Sequence, residues 1–358
     1  VRSGHYYLYG GPHHRDWVWS TRSLNNITVD GQGQVKCSAS AKGQIVAFKT
    51  TPSIDVVVGE AGGAYRVTEA GKQRPLLDRF TRAILFVKPE LVIVFDRLVA
   101  PKPSSFEYWL HASNRFSVNG QRDIAARAGD VVCAIDILAP EGLTFTQTDQ
   151  YDPNPWPQIT TREWHLTATT PTRAKAAEFV AVYRPCRTGQ TVARGAKLSR
   201  IDGGYALTVE LSDGRVVALL PTDESATLAA EGLTTTGAIL VQRRRADATV
   251  ETVDLGEGMG KAEGGRRRVN AGGRRPSDHR SSISNHQPPN PRPPFPVPCP
   301  PVPHPSAEEP TMRRSLLLTL LLLAPAVDGD ATDLCEAPFG PLRQMSYVPI
   351  KAARSISP

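Results

Sequence analysis

Helical periodicity is nearly absent from the first 258 residues of this 358-residue chain, which excludes an all-α fold for that region. Cysteine is scarce. There are five in all, and Cys37, Cys133 and Cys186 lack the close pairing that thiolate metal sites use. Cys37 and Cys133 fall within apolar strand patterns, which predicts buried free thiols. No dense Asp-x-Asp loop occurs, so a calcium loop of the EF-hand type is excluded. No apolar run reaches the roughly 20 residues that a membrane-spanning helix needs, and no stable membrane insertion is expected.

Charge is unevenly placed. The formal net charge is +7, yet between Lys261 and Arg314 ten Lys or Arg stand against four Asp or Glu, which puts +6 in one polar segment. The basic balance therefore says little about the folded part. The run Arg266, Arg267, Arg268 has no aromatic residues interleaved, which argues against a nucleic-acid partner. Between His286 and Pro310 there are twelve prolines in twenty-five residues, a density that forbids helix interiors and central strands. Met312 to Ala331 then has the layout of a secretory signal peptide, with two arginines, a leucine-rich core from Leu316 to Val327 and small residues at a cleavage point.

The resulting division is a folded domain over 1–258, a disordered basic and Pro-rich linker over 259–311, a short apolar helix of signal-peptide type over 312–331 and an unstructured tail over 332–358. A signal peptide in mid-chain cannot export what precedes it. The expectation is a reading frame that runs past its natural end into a neighbour. At the other end, the start at Val1 without Met leads to the expectation that an N-terminal portion is missing.

Within the first 258 residues the hydrophobic pattern is that of strands. Runs starting at Gln44, Ser53, Glu90, Asp130, Ala177, Tyr205 and Arg215 are short, rich in β-branched residues and bounded by Gly, Pro, Asn or Asp. Lys88-Pro89-Glu90 and Ser212-Asp213-Gly214 read as tight turns between them. Strands this numerous and this evenly spaced predict an all-β fold, an antiparallel β-sandwich. Continuous runs such as Val56-Val57-Val58 and Val92-Ile93-Val94-Phe95 predict central strands buried on both faces.

Site-type side chains are densest from Gly10 to Gln34. Two adjacent histidines, His13 and His14, sit with Arg15, Trp17, Trp19, Arg22, Asn25 and Asn26 ahead of Asp30-Gly31, whose positive φ angles suit a two-residue hairpin. Ile27 to Asp30 is expected to lead into that hairpin and Val35 to Ser38 to lead out. Imidazole suits proton transfer near neutral pH, guanidinium binds carboxylate in two-pronged fashion, and Tyr6, Tyr7, Tyr9, Trp17 and Trp19 offer flat faces to sugar rings, about half of them expected in the core. Capping of the following strand is the reading for Asn26. Further along, Trp109 and His111 share one strand face, and the loop from Tyr151 to Pro157, with Trp156, forms a stiff rim.

These residues carry a resemblance. Gly10-Gly11-Pro12-His13-His14, then Thr21-Arg22-Ser23-Leu24-Asn25, then Asp30-Gly31-Gln32-Gly33-Gln34 resemble the start of the C-terminal β-domain of heparinase II/III-like polysaccharide lyases. Thr81 to Ala100, an Arg-led strand, a turn and a strand ending in Val94-Phe95-Asp96, is similar to a second feature of that family. The resemblance spans roughly Val1 to Gly258. It implies a secreted or periplasmic lyase acting on an acidic polysaccharide, in which a large helical toroid supplies much of the base and acid, so that this chain alone is expected to be inactive or nearly so. It also implies a structural zinc held by a His at position 24 with an upstream His and Asp. Leu24 stands there instead, so no metal and no cofactor is expected.

Cleaving a uronic-acid glycan by β-elimination requires a base for the proton beside the carboxylate, a donor that neutralises that carboxylate, and an acid for the leaving oxygen. The resulting assignment makes His13, His14, Arg22 and Asn25 catalytic and Tyr9, Arg15, Trp17 and Trp19 substrate-binding. Two other classes stay open: a carbohydrate-binding or structural β-sandwich module without catalysis, and an unrelated β-sandwich interaction domain.

Overall fold

The computed structural model describes residues 3–4, 9–69, 71–160, 162–190 and 195–256. The expectations for Tyr6 and Tyr7, and those for 259–311, 312–331 and 332–358, lie outside the described residues. The first strands in chain order are β1 (Ile27–Val29), β2 (Gln44–Thr50), β3 (Ile54–Glu60), β4 (Arg66–Glu69), β5 (Lys72–Pro75), β6 (Arg79–Val87) and β7 (Leu91–Ser104). There follow β8 (Phe106–Ala112), β9 (Ser117–Val118), β10 (Ile124–Ala128), β11 (Val131–Ala139), β12 (Thr144–Thr148), β13 (Trp164–Thr169) and β14 (Ala174–Arg187). The last are β15 (Ala196–Ile201), β16 (Gly204–Leu211), β17 (Gly214–Pro221), β18 (Thr227–Ala230), β19 (Leu233–Thr236), β20 (Leu240–Arg245) and β21 (Val250–Asp254). All seven strand runs read from the sequence are present.

An eight-stranded sheet, β2-β3-β6-β7-β14-β11-β10-β9, forms the centre, with a four-stranded sheet β1-β8-β13-β12 on one face and a five-stranded sheet β15-β16-β17-β20-β21 on the other. Strand alternation explains the arrangement. On β7, Val92 and Val94 point into a core shared with Ile27, Phe106 and Leu110 of the four-stranded sheet, while Ile93 and Phe95 point into a second core with Leu207, Val216 and Val241 of the five-stranded sheet. A strand with both faces buried carries no polar alternation. The antiparallel sandwich expected from the sequence is thus present, with a third layer that the continuous apolar runs require.

The Asp30-Gly31 turn is as read, with φ of 52° and 74°, and Val29 bridges Gln32 across it. The expected outgoing strand from Val35 to Ser38 is not formed; β1 pairs instead with β8, Ile27 opposite Tyr108. The cause lies in Gly33 and Gln34. A Cβ on Gly33 would lie 2.2 Å from Thr21 Oγ1, and the Gln34 N–H donates to that same oxygen at 2.7 Å, which draws the chain off the ladder and onto the preceding segment. Cys37 corrects a second expectation: it is exposed, has φ of 47° and is disulfide-bonded, whereas Cys133 on β11 is free and only partly buried.

Candidate functional site

One face of the four-stranded sheet supplies the first core; its other face carries Thr28 on β1, Glu107, Trp109 and His111 on β8, and His165 on β13. Cross-strand register sets His111 directly opposite His165. The segment ahead of β1 lies over this face as a π-helical turn, His14–Val18, and a 3-10 turn, Thr21–Ser23, rather than as part of a ribbon. Trp17 is its anchor. At 2% exposure its ring meets His165 at 4.7 Å, Tyr151 at 5.2 Å and Trp109 at 6.2 Å, so the side chain read as a sugar platform packs as a small core of its own.

The adjacent histidines are also inside, His13 at 6% and His14 at 1% exposure. His13 Nδ1–H donates to the Pro153 carbonyl at 2.8 Å, which ties the turn to the Tyr151–Pro157 rim, and its ring stands edge-on to Tyr151 at 5.0 Å. His14 Nδ1 accepts the Gly10 N–H at 3.1 Å, which fixes the tautomer protonated at Nε2. Its ring lies 4.7 Å from Tyr9 and 4.8 Å from Trp19. Tyr9 is exposed and Trp19 half-buried. Among the described residues those two, not Trp17, are the aromatics of the segment that reach solvent.

Arg22 and Asn25 meet at His111. The ring Nε2 lies 2.9 Å from the Arg22 carbonyl and Nδ1 lies 2.9 Å from Asn25 Oδ1. A neutral imidazole carries one N–H, so it donates to one of these oxygens at a time. Burial, with a smaller contribution from His165, pushes His111 down to about 3; burial likewise lowers His165. Both rings are therefore neutral at pH 7. The Arg22 guanidinium sits 5.5 Å from the Trp17 ring and 3.8 Å from the exposed Asp152 carboxylate. Arg15 is exposed, and its carbonyl accepts from Lys36 Nζ at 3.0 Å. Asn26 is a strand cap, as read: its Oδ1 accepts the Ile27 N–H at 2.9 Å.

The heparinase II/III-like, C-terminal family matches residues 1–205. The chain belongs to that family. Among solved structures, this heparinase II/III-like domain is similar to heparan sulfate lyase HepC from Pedobacter heparinus, with 15% identity over 62% of this chain and 33% of that chain at a TM-score of 0.46. It is also similar to heparinase III, with 12% identity over 69% of this chain and 32% of that one at a TM-score of 0.43. The domain thus spans about a third of the length of each, and the assignment rests on the family match. No curated protein matches.

The family's second feature, Thr81 to Ala100, is structural in this heparinase II/III-like chain. It is the β6–β7 hairpin, in which Arg82 stands opposite Asp96 and grips both carboxylate oxygens at 2.7 Å. The third nitrogen of Arg82 donates to the Asn25 carbonyl at 2.8 Å, so the hairpin reaches through the first core and holds the site segment from behind. Leu24, where the family resemblance places a zinc ligand, offers no ligand atom. Among the described residues no three His, Cys, Asp or Glu side chains converge to hold a metal.

Two further groups went unread. His165 occupies an unremarkable strand, and only the register opposite His111 gives it meaning. Glu163 accepts the Tyr151 O–H at 2.6 Å and the Gly4 N–H at 2.9 Å; burial and this carboxylate raise the Tyr151 phenol far above its ordinary value. No helix among the described residues is long and apolar enough to cross a membrane, a statement that does not extend to strands.

Proposed function

We propose that this domain, taken as residues 1–258, forms the β-sandwich wall of a polysaccharide lyase that cleaves uronic-acid glycans by β-elimination outside the cytoplasm, in the periplasm or after secretion. The observation that carries the reading is family membership over 1–205, a stretch that contains every candidate site residue. The exposed and half-buried groups support a division of labour. Tyr9 and Trp19 offer faces to a sugar ring, Arg15 and Arg22 offer cationic partners for its carboxylates, and the Asn25 amide offers a neutral donor. His13 and His14, closed off from solvent and held by Pro153 and by Gly10, act here by setting the shape of that wall. Base and acid then come from outside this segment, as the family resemblance implies.

The burial of both histidines favours one alternative, a carbohydrate-binding module without catalysis. Titration tests the glycan binding that both readings share, and turnover beside a helical toroid separates them. The full chain is expected to bind a glucuronate-containing oligosaccharide more tightly than its carboxyl-reduced counterpart, and the Tyr9→Ala, Trp19→Ala double variant is expected to lose roughly tenfold in affinity with little change in thermal midpoint. Because base and acid lie outside this segment, the lyase reading expects the ultraviolet absorbance of an unsaturated uronate only when the chain is joined to a helical toroid of the heparinase II/III-like kind. Carboxylate-dependent binding with no absorbance from that joined protein selects the binding module; no carboxylate-dependent binding removes the acidic glycan from the picture.

A further inference from the structure

Asn25 is held at three points, and all three holds fall on its oxygens. Arg82 donates to its carbonyl, and Arg82 is itself fixed by Asp96. On the side chain, the backbone N–H of His111 donates to Oδ1 at 3.0 Å, and the His111 ring nitrogen lies 2.9 Å from the same atom. A backbone N–H can only donate, so the amide flip at Asn25 is decided whatever tautomer His111 adopts. Oδ1 faces the sheet. The amide nitrogen consequently points away from it, and among the described residues nothing accepts from it, although the side chain is only half-buried.

We infer that His111 is a positioning residue: by engaging Asn25 Oδ1 from both its main chain and its ring, with Arg82 bracing the Asn25 main chain, it presents the Asn25 amide N–H groups outward as a fixed donor pair for a uronate carboxylate. The inference deepens the glycan-binding reading above and rests on it. The physical sense lies in preorganisation. A free surface asparagine shows oxygen and nitrogen to an approaching anion with equal ease, and its oxygen repels a carboxylate; a clamped one shows only donors and spends no rotamer entropy on binding. Neutral donors also suit a carboxylate whose neighbouring carbon must lose a proton, since the charge developing on the oxygens shortens the hydrogen bonds as the reaction proceeds.

The test is nuclear magnetic resonance of the full chain with labelled asparagine. In the wild-type protein the two Asn25 side-chain amide protons are expected to be sharp and separate, and to shift with a glucuronate-containing oligosaccharide but not with its carboxyl-reduced form. Asn25→Asp retains an acceptor at Oδ1 for His111 and replaces the outward nitrogen by an anionic oxygen; it is expected to keep the fold and to weaken binding at least roughly tenfold. His111→Phe keeps a ring but removes its nitrogens, and is expected to broaden the Asn25 amide pair and halve or worse the preference for the carboxylated ligand, an effect that loss of packing alone does not produce. Should His111→Phe disturb the fold, the wild-type amide titration still decides. Amide protons that move equally with both ligands, or with neither, overturn the inference. Carboxylate-dependent movement, with no unsaturated uronate formed once the chain is joined to a helical toroid of the heparinase II/III-like kind, leaves it standing and removes the lyase reading instead.

Discussion

Asp96→Asn is expected to lower the free energy of unfolding by about 3–5 kcal/mol. The substitution preserves volume and removes one charge. Arg82 and Asp96 are 6% and 0% exposed, stand opposite each other on the β6–β7 hairpin and share two bonds of 2.7 Å. Burial opposes the charge on Arg82, but Asp96 outweighs it and holds the guanidinium above its ordinary range; burial pushes the Asp96 carboxyl up against the pull of Arg82. In the variant the guanidinium keeps its full desolvation cost and meets only neutral acceptors, the Asn25 carbonyl and the new amide oxygen, while the amide NH2 stands donor to donor where the second carboxylate oxygen was. The double variant Arg82→Met, Asp96→Leu removes both charges and is expected to recover most of the loss, since an apolar pair suits the space beside Phe80 and Tyr108 that the guanidinium now occupies. Denaturant titration read by tryptophan fluorescence checks both. A loss below about 1 kcal/mol for Asp96→Asn would mean that water reaches the pair.

That pair marks where sequence reading ends. Local signals were legible: seven strand runs, the Asp30-Gly31 turn, the turns at Pro89 and Asp213, and the double-sided burial of Val56 to Val58 and Val92 to Phe95 all follow from periodicity and turn chemistry within a few residues. Thr81 to Ala100 could be recognised as a family feature, yet nothing in it announces that Arg82 and Asp96 become cross-strand partners, because that depends on the hairpin's register. Pairings at longer range were out of reach. Ile27 opposite Tyr108 and His111 opposite His165 join residues whose separation in sequence carries no local pattern, and the Val35 to Ser38 strand failed because Gly33 and Gln34 answer to Thr21, a tertiary contact.

The candidate site shows the same boundary from the other side. Its residue types were visible, but not which of them face outward. Alternation places Trp109 and His111 on one strand face, which holds. For Trp17 and Trp19 it gives nothing, since the chain there winds as a π-helical turn; Trp17 and Trp19 then point to different surroundings, one into the cluster with Tyr151, the other toward Tyr9.

Acidification from pH 7 to pH 4 is expected to lower the free energy of unfolding by about 3 kcal/mol through His111 alone. His111 titrates near 3 in the folded chain against an ordinary 6.5, so between those values the unfolded state binds the extra proton. Stability from this group is therefore fully present above 6.5 and drains as pH falls toward 3. The cause is the covering segment: Trp17 and Tyr151 lie over His165, and His165 faces His111 at 5.5 Å, so a new imidazolium would be buried beside a second ring. His165, lowered by burial as well, adds to the loss with the same sign. The Arg22 carbonyl works against this, because an acceptor at the ring favours the protonated form, but burial outweighs it. In His111→Phe the stability curve should be flatter over this range by about the same 3 kcal/mol, whatever its absolute height. Because Trp17 meets the His165 ring and Trp109 stacks on the His111 ring, their fluorescence reports the opening, and a wild-type curve with no steeper slope than the variant between pH 6.5 and pH 4 would show that His111 is already protonated or already wet in the folded chain.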